Sequence, residues 1–150
     1  MKIEDAIKSI HSMGLTTKTV INIMYSSRVV EEQVQTVLKP FELSLPQYNV
    51  LRILRGQRGN PANLSTLQER MIDKSSNTTR LVDKLLKKGW AKRQICPSNR
   101  RKIEIFITDQ GLNLLTTLDP LMEQNNKSVV STLSETELET LNNLLDKLRS

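Results

Sequence analysis

The sequence predicts a mainly α-helical fold with one small β-hairpin, and three observations lead there. Long stretches free of Gly and Pro carry apolar residues at helical spacing. Several of these open on Ser-x-x-Gln or Ser-x-x-Glu signals. Only Ile103-Glu104-Ile105-Phe106-Ile107 shows a clear β-branched alternation. At 150 residues the chain is the size of one ordinary domain, and with two Phe, two Tyr and one Trp its core must be mainly aliphatic.

The elements follow in order. His11 falls in an N-terminal segment expected to be mobile. From Thr17 to Leu38, Val20, Ile23, Met24, Val30, Val34, Val37 and Leu38 form one stripe of a helix, and Ile21, Tyr25 and Val29 form a second, so this helix wants cover on two sides. Pro40 ends it, since proline has no N–H to continue the ladder. Ser44-Leu45-Pro46-Gln47 is a capping box with proline in the first turn, opening a helix that Gly56 and Gly59 close. Ser65-Thr66-Leu67-Gln68 reads as a second box, for a short helix over 64–71. A third helix is expected from Ser75 to Lys88, with Gly89 in the left-handed position beyond its end.

Trp90 to Cys96 and Ile103 to Ile107 then read as the two strands of a hairpin, with Pro97-Ser98-Asn99-Arg100-Arg101 as its polar turn. Thr108 caps a helix whose leucines at 112, 115 and 118 lead to Pro120, where a kink or restart is expected. Ser134-Glu135-Thr136-Glu137 is a further capping box, followed by the stripe Leu138, Leu141, Leu144, Leu145 and Leu148.

Charge divides the chain unevenly. Residues 1–69 carry a net +2, residues 70–102 a net +9 and residues 103–150 a net −5, so half of all cations lie in one short segment. Near-exclusion of one sign over that length points to a polyanionic partner and to strongly salt-dependent binding. The opening Met1-Lys2-Ile3-Glu4-Asp5 has no apolar signal region, and no stretch approaches the roughly 18 apolar residues that span a bilayer, so an unexported, soluble protein is expected with no membrane partner. One cysteine, Cys96, and one histidine cannot make an internal disulfide or a Cys/His zinc site; no metal or cofactor is called for. There is no Gly-rich phosphate loop, paired-carboxylate motif or Ser/His/Asp arrangement to suggest an enzyme.

Helix 64–71, a tight connection, helix 75–88 and a basic hairpin make a helix-turn-helix followed by a wing, and the unit coincides with the +9 segment. Wound at about 100° per residue, the second helix gathers Leu81, Val82, Leu85, Leu86 and Thr78 on one face. Ser76, Asn77, Arg80, Asp83, Lys84 and Lys87 gather on the other. Short side chains at Ser75, Ser76, Asn77 and Thr79 let the helix start approach base edges. Arg80 carries a planar fork suited to guanine O6 and N7, and Asn77 can pair adenine. Lys84 and Lys87 suit phosphates, while Arg100, Arg101 and Lys102 at the hairpin tip suit a flanking minor groove. A winged helix that binds nucleic acid without sequence preference, or that serves protein interaction, remains the alternative.

Leu64-Ser65-Thr66-Leu67-Gln68-Glu69-Arg70, Thr79-Arg80-Leu81-Val82-Asp83-Lys84-Leu85, Lys87-Lys88-Gly89 and Ile107-Thr108-x-x-Gly111 together resemble the MarR family of bacterial transcriptional regulators over about residues 20–148. The resemblance implies a single MarR-like domain over residues 1–150. About 1–40 and 109–150 would supply dimerisation helices, and about 44–107 the winged helix-turn-helix lobe. It also implies a cytoplasmic, nucleoid-associated homodimer on double-stranded DNA, repressing from a pseudo-palindromic operator and released by a small aromatic or phenolic effector or by an oxidant. Arg80 matches the family's recognition-helix arginine, and Asn99-Arg100-Arg101 matches its Asp-x-Arg wing with asparagine for aspartate, which removes an ion pair to Arg101. No cysteine lies near the first helix, which speaks against peroxide sensing. The two helical stripes independently expose more apolar surface than one lobe can cover, placing Val20, Ile23, Met24, Leu138, Leu141, Leu145 and Leu148 in a dimer interface.

Overall fold

The computed structural model describes residues 1–150 as α1 (Ile3–Ala6), α2 (Leu15–Leu38), α3 (Leu45–Gly56), α4 (Leu64–Arg70), α5 (Thr78–Lys87), β1 (Ala91–Cys96), β2 (Asn99–Ile107), α6 (Asp109–Val129) and α7 (Glu135–Arg149). No helix is long and apolar enough to cross a membrane. The mainly helical fold with one antiparallel hairpin is as the sequence implies.

The start departs from expectation. Instead of a mobile segment, residues 3–6 form a helical turn that buries Ile3, and Glu4 pairs with Lys18 of α2 at 2.7 Å. His11 is exposed.

The core lies in the lobe and its junction with α6. Val50, Leu51 and Leu54 of α3, Leu67 and Met71 around the end of α4, Val82 and Leu85 of α5, and Ile105 of β2 close on one another, and Leu38, Leu115 and Leu118 pack against them from α2 and α6. Ala62 exchanges both backbone hydrogen bonds with Ile105, at 2.9 and 2.8 Å, adding a one-residue third strand to the hairpin.

Capping explains most boundaries. Ser44 and Gln47 form the expected reciprocal box at α3. At α4 the cap is Asn63, not Ser65: Asn63 Oδ1 accepts the Thr66 N–H at 2.8 Å and the Ser65 hydroxyl at 2.7 Å. Two capping residues lie within two positions of each other, and the upstream one wins. The end of α5 is a full Schellman motif, with Gly89 N–H on the Leu86 carbonyl and Trp90 N–H on the Leu85 carbonyl, both at 3.1 Å, and Gly89 at φ +75°.

Helix α6 neither stops nor restarts at Pro120. Leu115 and Leu118 before the proline and Met122 after it are all buried, so tertiary packing holds the helix across the missing N–H. Asp119 takes a bidentate hydrogen bond from Arg55 of α3 at 2.8 and 3.1 Å, tying lobe to helix and raising the Arg55 pKa.

The box at Ser134 is also complete: Glu137 N–H donates to Ser134 Oγ at 3.2 Å, and Ser134 N–H donates to Glu137 Oε1 at 3.0 Å. These bonds hold the Glu137 carboxyl below the usual carboxylate range. A depressed folded pKa gives stability that is present above the unfolded value and lost as pH falls through the folded one. The first turn of α7 is therefore expected to fray on acidification through that lowered value, which the amide shifts of residues 135–138 in a proton NMR titration would report. Glu137→Gln keeps the acceptor and should remove the dependence; an unchanged titration midpoint in that variant would refute it.

Candidate nucleic-acid interface

Helix α5 is held by its inner face. Val82 and Leu85 are buried, and Leu81 and Leu86 are half-buried, whereas Thr79, Arg80, Asp83, Lys84 and Lys87 are exposed, so the two faces divide as the spacing implies. The helix begins at Thr78 instead of Ser75, and that moves three candidate contacts off it. Ser75 donates its N–H and hydroxyl to Asp73 Oδ1 at 2.9 and 2.6 Å. The Ser76 hydroxyl is buried without a partner, so it does not face outward as the helical wheel suggests. Asn77 is the N-cap, its Oδ1 taking the Arg80 N–H at 3.1 Å, which commits the acceptor that pairing with adenine would need. Arg80 thus projects from the first turn, beside the free N–H groups and positive dipole end that favour anions.

Few of the cations are neutralised, although Arg70 donates to Gln57 Oε1, Lys74 and Lys88 donate to the Glu69 and Glu42 carbonyls, and Lys92 lies over the Phe106 ring. Of the eleven in residues 70–102, only Arg93 joins an ion pair, at 3.4 Å with Asp83. That pair links α5 to the hairpin and neutralises the one carboxylate on the exposed face of α5. Sequence reading missed it because neither chain distance nor helical period relates residues on a helix and a strand. Lys84 and Lys87 also occupy the last turn of α5, where a cation complements the helix dipole.

The hairpin is longer than the alternation indicates. Strand β2 begins at Asn99, so Asn99, Arg100, Arg101 and Lys102 lie within the strand and only Pro97 and Ser98 form the turn. Register jumps between the pairs Ile95–Ile103 and Cys96–Asn99, a bulge of three extra residues on β2 that holds all three tip cations. The Asn99 Oδ1 accepts the Arg101 N–H at 3.0 Å, so asparagine shapes this bend through the backbone where an aspartate could also pair with the guanidinium. Ile95 and Ile103 are exposed, placing the tip clear of the lobe. Cys96 Sγ lies 3.3 Å from Ser98 Oγ. No cluster of His, Cys, Asp or Glu is placed to hold a metal.

A core-anchored helix with a cationic outer face, beside a basic hairpin that projects from the same lobe, defines a winged helix-turn-helix regulator of transcription. The MarR family model matches residues 43–103. The HTH-type transcriptional regulator PecS of Dickeya dadantii (strain 3937) is 30% identical over 125 residues, which span 81% of this chain and 74% of PecS. Among solved structures, a MarR variant from E. coli complexed with operator DNA superposes with a TM-score of 0.79 at 20% identity, covering 91% of this chain and 99% of that one. BpsR of Bordetella bronchiseptica, from a structure addressing regulation of its DNA binding by 6-hydroxynicotinic acid, gives 0.78 at 21% identity, covering 89% and 99%. The chain belongs to the MarR family of DNA-binding transcriptional regulators.

Proposed function

We propose that this protein is a cytoplasmic repressor that binds a pseudo-palindromic operator as a homodimer and is released by a small ligand. The observation that carries the reading is α5, whose buried face fixes it in the lobe while Arg80, Lys84 and Lys87 stand unpaired on the other. Arg80 reads a guanine, Thr79 assists, the two lysines engage phosphates, and Arg100, Arg101 and Lys102 reach a flanking groove. The fold shared with a MarR variant complexed with operator DNA supports this assignment.

Uncovered apolar surface supports the dimer. Helix α7 has no buried residue, and Leu148 is 61% exposed. On α2 only Leu38 is buried, while Val20 and Met24 are exposed, Met24 by 64%. Together with Ile23, Leu138, Leu141 and Leu145 these residues make a face that a second copy would cover. Segments of about residues 1–40 and 109–150 then act as the scaffold and about 44–107 as the DNA-binding lobe. Two recognition helices related by a two-fold axis address half-sites about 34 Å apart, hence an inverted repeat. A dimer seated there obstructs polymerase at an overlapping promoter.

A crevice of about 630 Å³ runs between α2, α7 and the lobe, walled by Ile23, Val30, Val34, Leu45, Ile72, Leu141 and Leu145. Its apolar walls suit a small aromatic or phenolic effector. Because Ile23, Leu141 and Leu145 also belong to the subunit face, a ligand there acts on the spacing of the lobes. The relation of BpsR to 6-hydroxynicotinic acid accords with an aromatic ligand.

Gel-shift titration against a random-duplex competitor tests the reading. Selective retention of one inverted repeat is expected, and equal loss of all probes would refute it. The double variant Leu141→Glu, Leu145→Glu is expected to run as a folded monomer in light scattering and to lose the inverted repeat. A variant that remained dimeric would place the interface elsewhere.

A further inference from the structure

The segment joining α4 to α5, residues 71–77, is neither helix nor strand, and beyond Met71 N–H on the Leu67 carbonyl and Ser76 N–H on the Asp73 carbonyl, side chains meet several of its backbone polar groups. Asn49 Oδ1 accepts the Ile72 N–H at 2.8 Å from α3, and Asp73 holds Ser75. One side chain reaches both the connection and the helix beyond it. Gln68, half-buried on α4, donates from Nε2 to the Lys74 carbonyl at 2.8 Å and accepts at Oε1 the hydroxyl proton of Thr78. Thr78 is the first residue of α5 and only 7% exposed.

We infer that Gln68 is a positioning residue for operator choice: its amide fixes the angle at which α5 leaves the turn, and so where the Arg80 guanidinium lies against base edges. The inference rests on α5 being the helix that enters DNA. Arg80 stands two residues beyond Thr78, so a shift at the start of the helix is transmitted directly to it. A bidentate fork tolerates little displacement, whereas the long, flexible stems of Lys84 and Lys87 find phosphates across a range of positions. The chemistry also explains the residue type. One planar amide offers a donor and an acceptor together; glutamate would keep only the acceptor, and methionine neither. Without its partner, the Thr78 hydroxyl is left buried and unsatisfied, which favours a different entry angle.

The test uses the full chain. Wild type first selects its preferred inverted repeat from a randomised duplex library. Affinities for that duplex and for a scrambled one are then measured for wild type, Gln68→Met, Thr78→Val and Thr78→Ser, with circular dichroism confirming the fold. The Met and Val variants are expected to lose about tenfold in the ratio of preferred to scrambled affinity, with scrambled affinity and its salt dependence unchanged. Thr78→Ser keeps the hydroxyl and should keep the wild-type ratio. If Gln68→Met does not fold, the Thr78 pair decides. Folded variants with the wild-type ratio would overturn the inference, as would an equal fall in both affinities or failure of both Met and Val variants to fold. Wild type enriching no sequence is a distinct result, and would remove the DNA-recognition reading and this inference with it.

Discussion

Replacing Arg80 with alanine is expected to abolish operator selection while leaving the protein folded and still able to hold DNA. The side chain is exposed, makes no ion pair and contributes nothing to the core, so its loss costs little stability. A bidentate contact to guanine is worth about 1–3 kcal/mol of discrimination, roughly fivefold to 150-fold for each half-site. In the proposed dimer the residue acts twice, so preference for the operator over random duplex should largely vanish. The appropriate control is Lys87→Ala, which removes an equal charge farther along the same face. It should weaken all duplexes alike and lower the salt slope by about one per subunit, with the sequence ratio intact. Measured by fluorescence anisotropy at two or more salt concentrations, the variants separate base reading from phosphate contact. Matching losses of selectivity would remove Arg80 from its assigned role.

Much of the fold was legible because it depends on local rules. The boxes at Ser44 and Ser134, the Schellman end at Gly89 and the two-faced division of α5 each involve residues within one or two turns of each other. What escaped has a different origin. Choosing Asn63 over Ser65 requires knowing where the chain enters the lobe from Ala62, which is pinned to Ile105 across the hairpin. The later start of α5 arises from the Asp73 turn and the Asn77 cap, two polar residues competing with helix at positions a helical wheel treats as continuous. The bulge that carries the tip cations reflects pairing register, invisible in alternation that begins only at Ile103. Gln68 reads as the far half of a capping box with Ser65 until its actual partners, six and ten residues away, are placed around it. The site's electrostatic character was therefore readable from the chain, but the groups that aim it were not.

The largest loss of stability is expected from Gly111→Ala, a change of one methyl group. Gly111 lies in the first turn of α6, its N–H donating to the Thr108 cap at 3.1 Å, and the helix there runs against the connection from α5 to β1. A Cβ at this position would stand 2.3 Å from the Trp90 carbonyl oxygen and 2.8 Å from Ile107 Cγ1. The oxygen belongs to backbone already bound on both sides: it accepts the Thr108 N–H at 3.1 Å, and the neighbouring Gly89 carbonyl takes the Thr108 hydroxyl at 2.6 Å. No rotamer change relieves such a contact; either α6 moves off the lobe or the Thr108 bonds break. Overpacking of this kind costs about 3 kcal/mol, equivalent to roughly 6–12 °C in Tm for a chain of this size. The same change at Gly56, the last residue of α3, meets nothing within 4 Å and has no positive φ, so Gly56→Ala should be neutral or slightly stabilising. The two alanine variants, compared by thermal unfolding at one protein concentration, isolate the close approach from glycine's general entropic effect. An unchanged Tm for Gly111→Ala would mean that α6 can slide on the lobe, and that the joint between scaffold and DNA-binding unit is not fixed by this contact.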